Sequence, residues 1–582
     1  MSEARVIYND DFRTIMSHNQ ATDGFPSTVS DLEGLVERVG STGVTTYVMD
    51  AIGFDNKVFF DTKRGSSWTD IDYAKWGGHW EENYGAACRF LKRLRAEGRD
   101  ALQVVIDSCR KIDVEILAGA RMNDCQGVRP LYPVDNPDLS FFLLKNPDLA
   151  LRYPGTGVPS MMADFGQEAV RQYKFGVLEE LMETFDFDGL ELNWQRFPWL
   201  FQPDFICGPY AGLTPERFDE CAPLLTEFMV SIRDLLDKIG RQRGKQLILG
   251  TRVAGTPEIN RIVGIDLPEW IRRAKLDYVV PTAFITTDFN LPVERFKRLC
   301  QDSGCSVYPC LFPSADIASA AHGTRLYQTE LYAGAASNYY AAGADGVEVF
   351  NHFHPPTMGE GIPFNTEALR VISSPDTVAQ SPVLRYYMAA SAEPANVAEY
   401  VKGTQIAQGG ILRPCYDRLQ FVFRFGEALD ENIRRLEMLR FRIFEASPED
   451  GPPRIWLNDT EINCTLSWRC GPVAPPWSWA YGKKYEDLEL LAGKNITEDF
   501  AAEALELLSI APKRRPEYAR QHGFSIEGPD IYMLAEADPA SIPNSTLESG
   551  VNYLWVKLGE AREAYTFEPT VGGLEIATVR VG

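Results

Sequence analysis

A chain of 582 residues, 45% of them hydrophobic, is too long for one ordinary core and holds material for two or more domains, one of which can be a large barrel. Its 81 Asp and Glu outnumber its 58 Lys and Arg, and a net charge of -23 repels a phosphate backbone and an anionic bilayer, so neither nucleic acid nor membrane is expected as a partner. The start, MSEARVIYNDD, has no basic segment followed by an apolar run, and the 11 cysteines form no C-x-x-C pair. A cytoplasmic chain with free thiols is the expectation, secreted or periplasmic if a leader has been trimmed.

From the N-terminus to about residue 375, short runs of Val, Ile, Leu and Tyr alternate with amphipathic stretches, as in a parallel sheet with crossover helices. The runs are VIYND (from Val6), VTTYVMD (from Val44), VEILAGARM (from Val114), GLELNW (from Gly189), QLILGTRV (from Gln246), LDYVVPTAF (from Leu276), SVYPCLF (from Ser306) and GVEVFNHF (from Gly346). Eight such units predict a (β/α)8 TIM barrel over 1–375. Thr214 followed by Pro215 marks a capped helix start, and Gly240 its expected end. Long connections follow the second and third strands, roughly 53–99 and 124–165, and long loops on that side are where barrels build sites. Trp68, Trp76, Trp80 and Trp199 lie in such loops, either to stack on sugar rings or to pin the loops down.

After Ser373 the texture changes. Residues 376–415 read as a connecting segment, and 416–582 as an antiparallel β-sandwich with a helical insertion near 482–520, on alternating runs such as RLQFVFRFG and NYLWVKLG.

The ends of barrel strands are placed to act. They carry Asp10, Asp11, Asp50, Arg121, Asn123, Asp124, Glu191, Asn193, Gln195, Arg196, Arg252, Thr282, Glu348, Asn351, His352 and His354. In FDFDGLELNWQRFPWLF, strand alternation sends Leu190, Leu192 and Trp194 to one face and Glu191, Asn193 and Gln195 to the other. Paired carboxyl groups around a bond are the machinery of glycoside hydrolysis. Glu191 is the first candidate, with Asp124 on the neighbouring strand as partner and Glu348 as rival; the plain alternative is that Glu191 only pairs with an arginine. Asp188 is expected to cap the turn into the strand. Arg121, Arg196 and Arg252 either neutralise the rim acids or read a carboxylate or sulfate on a substrate. His352 and His354, and Cys300, Cys305 and Cys310, are weak as metal ligands at these spacings, so no metal and no cofactor is expected.

The stations VIYNDD, FDTKRGSSW, LAGARMND, FDFDGLELNWQRFP, LGTRVAGTPEIN, IDLPEWI and AGADGVEVFN resemble those of bacterial glycosyl-hydrolase-like barrel proteins related to the family-ten-like glycosidases. The resemblance covers roughly 1–375 and implies a barrel acting on a carbohydrate. That group usually reads D-G-x-E-L-D where this chain has Asn193, which removes one carboxylate. The stretch is also similar to the chitinase signature D-G-x-D-x-D-x-E, with Gln195 at the position of that family's catalytic Glu. The expected activity is therefore a two-carboxylate glycoside hydrolase on an oligosaccharide that can bear carboxylate or sulfate groups. Glu191 and Asp124 are the catalytic pair; Asp11, Asp50, Arg121, Asn123, Asn193, Gln195, Arg196, Arg252, Glu348, Asn351 and His352 bind substrate. The alternatives are a carbohydrate lyase or isomerase, and a glycan-binding protein on a barrel that no longer catalyses.

Overall fold

A computed structural model describes residues 4–10, 28–53, 57–78, 80–124, 131, 141–153, 157–195, 198–207, 210–283, 287–313, 329–350, 352, 365–388, 413–415, 418–427, 429–430, 432–444, 452–471, 530–558 and 570–581. All eight predicted runs form strands: β1 (Arg5–Asp10), β2 (Thr46–Ile52), β3 (Glu115–Arg121), β4 (Gly189–Asn193), β5 (Ile248–Ala254), β6 (Tyr278–Thr282), β7 (Ser306–Val307) with β8 (Cys310–Leu311), and β9 (Gly346–Phe350). They make one barrel-like parallel sheet in the order β7-β6-β5-β4-β3-β2-β1-β9-β8. The seventh run is split because Pro309 has no N–H to give to a ladder. It nonetheless bonds on both sides, Tyr308 N donating to Val279 O at 3.0 Å and Glu348 N to Pro309 O at 3.1 Å.

Both faces of the sheet are buried, as all-parallel sheets require. Outward residues such as Val6, Leu190, Leu192 and Trp194 join the large core beneath the helices. Inward residues Ile7, Val48, Leu117, Tyr278, Val280, Tyr308, Cys310, Phe312 and Phe350 form a second, separate cluster. The surrounding helices are α1 (Val29–Gly40), α2 (Ala86–Ala96), α3 (Ala101–Lys111), α4 (Glu168–Thr184), α5 (Pro215–Arg243), α6 (Leu267–Arg273), α7 (Val293–Leu299) and α8 (Thr329–Ala341). Helix α1 opens on a Thr28–Asp31 capping box, and α5 on Thr214 with Pro215 behind it. Helix α5 runs past Gly240, its expected end, and stops at Gly244, whose φ of 69° suits a left-handed cap. Gly240 is small for another reason: Lys245 O passes 2.5 Å from where its Cβ would sit.

At the amino end of the sheet one device recurs four times. The residue just before β2, β4, β6 and β9 accepts a hydrogen bond from the second residue of β1, β3, β5 and β7 respectively. These are Thr45 from Val6 N (3.1 Å), Asp188 from Ile116 N (3.0 Å), Asp277 from Leu249 N (2.8 Å) and Asp345 from Val307 N (2.8 Å). Cations hold the three aspartates: Arg110 and Lys245 on Asp188, Arg233 on Asp277, Lys297 on Asp345. Register is therefore locked two strands at a time.

The C-terminal part forms two antiparallel five-stranded sheets. One comprises β10 (Val383–Met388), β13 (Arg434–Phe444), β16 (Cys464–Gly471), β17 (Asp530–Ala537) and β19 (Thr570–Arg580). The other comprises β11 (Arg413–Cys415), β12 (Arg418–Phe425), β14 (Arg454–Leu457), β15 (Thr460–Ile462) and β18 (Gly550–Lys557). Strands β10 and β11 lie within 376–415, the stretch read as a connection; residues 482–520 fall outside the described residues. The sheets dock on the barrel flank, Asn338 of α8 donating to Arg424 O at 3.0 Å and Arg424 pairing with Glu294 at 2.6 Å. Trp68 stacks on Phe59 and Tyr84 at 5.5 and 5.6 Å and is buried, as is Trp199 against Tyr153, so both pin loops. The side chain of Trp80 lies outside the described residues, and Trp76 is half-buried. Among the described residues no helix is long and apolar enough to cross a membrane.

Candidate active site

Strand β4 sends Glu191 and Asn193 inward, since Leu190, Leu192 and Trp194 are taken up by the outer core. The register sets Glu191 between Gly119 on β3 and Gly250 on β5. Neither glycine carries a side chain, for a visible reason. A methyl group on Gly119 would overlap the Asp50 carboxylate, and one on Gly250 would overlap the Tyr278 ring. Tyr278 can therefore lie across the inner wall and donate to Glu191 Oε2 at 2.8 Å, while Asn9 Nδ2 reaches Oε1 at 2.7 Å from β1. Burial and the nearby Glu191 charge push the Tyr278 hydroxyl well above its usual range, so it remains a donor.

Glu348 lies on β9, three strands beyond β3 in the sheet order, and its carboxyl feels the Glu191 charge. Neither oxygen of Glu348 has a hydrogen-bond partner among the described residues. Burial first, then the Glu191 charge, holds the Glu348 carboxyl well above the usual carboxylate range; Arg252 pulls the other way. Both glutamates are 0% exposed, so they sit within the sheet's interior rather than at an open rim. One inward step nearer the carboxyl end, the Arg252 guanidinium lies 3.6 Å from the Phe350 ring centre and 3.6 Å from Glu348 Oε1. Its Nη2 donates to Thr282 Oγ1 and Cys310 Sγ, each at 3.3 Å.

The other predicted residues divide into groups. Asp50 and Asp124 share Arg121, each accepting at 2.8 Å, and all three are buried. Asp124 follows Arg121, which is level with Asn193, so it lies further toward the carboxyl end than Glu191. Asn123 ties two loops together through Ala163 and Trp199 O. Asn193 accepts from Gln195 N, and Gln195 donates to Tyr210 OH at 3.3 Å; among the described residues Asn193 Nδ2 and Gln195 Oε1 are buried without a hydrogen-bond partner. His352 is buried with both ring nitrogens engaged, by Tyr332 OH at 2.9 Å and Asn365 O at 3.0 Å. Asp10 accepts from Tyr47 at 2.6 Å in the helix-side core. Asp11, Arg196, Asn351 and His354 lie outside the described residues. Asn9, Tyr278 and Phe350 were not singled out from the sequence; the signal available was Gly250 and Gly119 flanking Glu191 in register, space left for large inward neighbours.

No family model matches the chain, and no curated protein matches it. Among solved structures it is similar to a noncanonic maltogenic alpha-amylase AmyB from Thermotoga neapolitana, at 13% identity and TM-score 0.34 over 75% of this chain and 91% of that one. It is also similar to alpha-L-fucosidase isoenzyme 2 from Paenibacillus thiaminolyticus, at 10% identity and TM-score 0.39 over 66% of this chain and 51% of that one. A third is a glycoside hydrolase family 18 N-acetylglucosaminidase from Paenibacillus barengoltzii, at 12% identity and TM-score 0.32 over 64% of this chain and 99% of that one. Scores this low carry no weight for fold or activity.

Proposed function

We propose that the chain is a glycoside hydrolase acting on an oligosaccharide, with its parallel sheet closed into an eight-stranded barrel and a β-sandwich behind it. What supports this reading is that Glu191, supplied with two donors, and Glu348, whose carboxyl is raised by burial and by the Glu191 charge, are both fully buried inside the sheet. Two carboxyl groups in environments that divide the proton unequally are an acid and a base. In this reading Glu348 replaces Asp124 as partner: it protonates the leaving oxygen, and Glu191 attacks or activates water. Asp124 instead helps hold Arg121. With Arg121 engaged by two aspartates, Arg252 is the described arginine left for an acidic sugar. The resemblance of FDFDGLELNWQRFP to glycosidase barrels supports the same substrate class.

The complete burial of both glutamates favours a second reading, a glycan-binding barrel in which the pair is structural. A panel of neutral, uronic and sulfated oligosaccharides decides. The hydrolase reading expects new reducing ends without an unsaturated, ultraviolet-absorbing product. An unsaturated product means a lyase, and binding without any turnover means the second reading.

A further inference from the structure

Arg252 is charged at any pH the protein meets, yet its surroundings leave it under-engaged. It is 3% exposed, and its Nε and Nη1 have no hydrogen-bond partner among the described residues. Its anchors are a ring face and two long contacts, to Phe350, Thr282 and Cys310. Its Nη1 stands 3.6 Å from Glu348 Oε1, too far for a hydrogen bond and close enough for strong attraction once that oxygen is charged. The groups facing Glu348 are Glu191 from β4, Tyr278 from β6, Cys310 from β8 and Arg252 from β5. Arg121, against Phe350 at 5.4 Å, is already matched by Asp50 and Asp124. Arg252 is thus the cation available to a newly ionised Glu348.

We propose that Arg252 is a positioning residue that sets when Glu348 gives up its proton: its guanidinium rests on Phe350 while Glu348 is neutral and closes on Glu348 as that carboxyl ionises. This rests on the acid role assigned above. In the step served, the Glu348 O–H bond breaks, its electron pair stays on the carboxylate, and the proton bonds the leaving glycosidic oxygen as its C–O bond breaks. The Arg252 Nη1 then needs to move under about 1 Å to reach charge-assisted hydrogen-bond distance.

The test follows the infrared carbonyl band of the neutral carboxyl, assigned by its loss in Glu348→Gln, through a pH titration of the full chain without sugar. In Arg252→Met the band should persist about one to three pH units higher than in the native protein, with Arg252→Lys between them. In turnover, the alkaline limb of the pH profile should move the same way. Should Arg252→Met fail to fold, Thr282→Val keeps the charge but loosens the guanidinium toward Glu348, and the band should vanish at lower pH. A band unmoved in the folded Arg252→Met, or in Thr282→Val where that variant carries the test, overturns the role of Arg252 whatever the turnover. A moved band with no hydrolysis on the panel sinks the hydrolase reading and leaves Arg252's hold on Glu348 standing.

Discussion

Keeping a carboxyl neutral in the folded chain has a thermodynamic sign. Glu348 binds its proton more tightly folded than unfolded, so its contribution is intact below the ordinary value of 4.5 and is lost as pH rises from there toward the raised folded value. Glu348→Gln removes that loss, so denaturant unfolding at neutral pH should show the variant at least as stable as the native chain, with a flatter pH dependence above 4.5. A variant less stable at every pH would contradict a neutral Glu348. Next to it, Gly250→Ala should push Tyr278 off Glu191 and lower turnover about as much as Tyr278→Phe; wild-type turnover in both would show that this hydrogen bond has no part in the chemistry. Strand alternation made the inward direction of Glu191 legible. Glu348 was legible only as the rival to Asp124, because an adjacent strand was the nearer source of a second carboxyl, whereas the influence of Glu191 on Glu348 depends on how the sheet curls.

Element boundaries depend on contacts made far away in the chain. The eight strands were readable as apolar runs, but the break at Pro309 matters only because each half bonds a different neighbour, β6 or β9. Three of the four clamps at the amino end were present in the sequence as FDGL, LDYV and ADGV before strands, a weak signal because the acceptor role needs the preceding strand beside it. Burial tends to raise Asp188, but hydrogen bonds from Arg110, Ile116 N and Lys245 outweigh it and leave the carboxyl below its ordinary 3.8. The stability it supplies is present above 3.8 and lost as pH falls through the lower folded value. Asp188→Asn should cost about 1–3 kcal/mol in urea unfolding at neutral pH and weaken the drop in stability at acid pH. No change on either count would make the clamp incidental.

At the scale of the molecule, the two C-terminal sheets are joined by a buried polar knot between β13, β10 and β19 of one and the end of β12 of the other. Arg434 pairs with Glu427 at 2.8 Å and donates to Ser381 O at 2.6 Å, while Tyr386 and Thr578 donate to Glu427 at 2.5 and 3.0 Å. Glu427→Ala strands a buried arginine and should cost about 3–5 kcal/mol in equilibrium unfolding. A loss confined to a few tenths would mean the knot carries no load between the two sheets. The change of texture after Ser373 was visible in the sequence; this joint was not, since its four side chains come from separate strands and the turns between them.

In the proposed mechanism Glu348, and not Asp124, works with Glu191. This pairing is tested most directly by turnover of Glu348→Gln and Asp124→Asn on whichever oligosaccharide the native protein hydrolyses, with circular dichroism confirming folded protein. Loss of a positioned acid lowers turnover by about two orders of magnitude or more, so Glu348→Gln should fall that far with Asp124→Asn well above it. Near-native turnover in Glu348→Gln beside an inactive Asp124→Asn would contradict the claim.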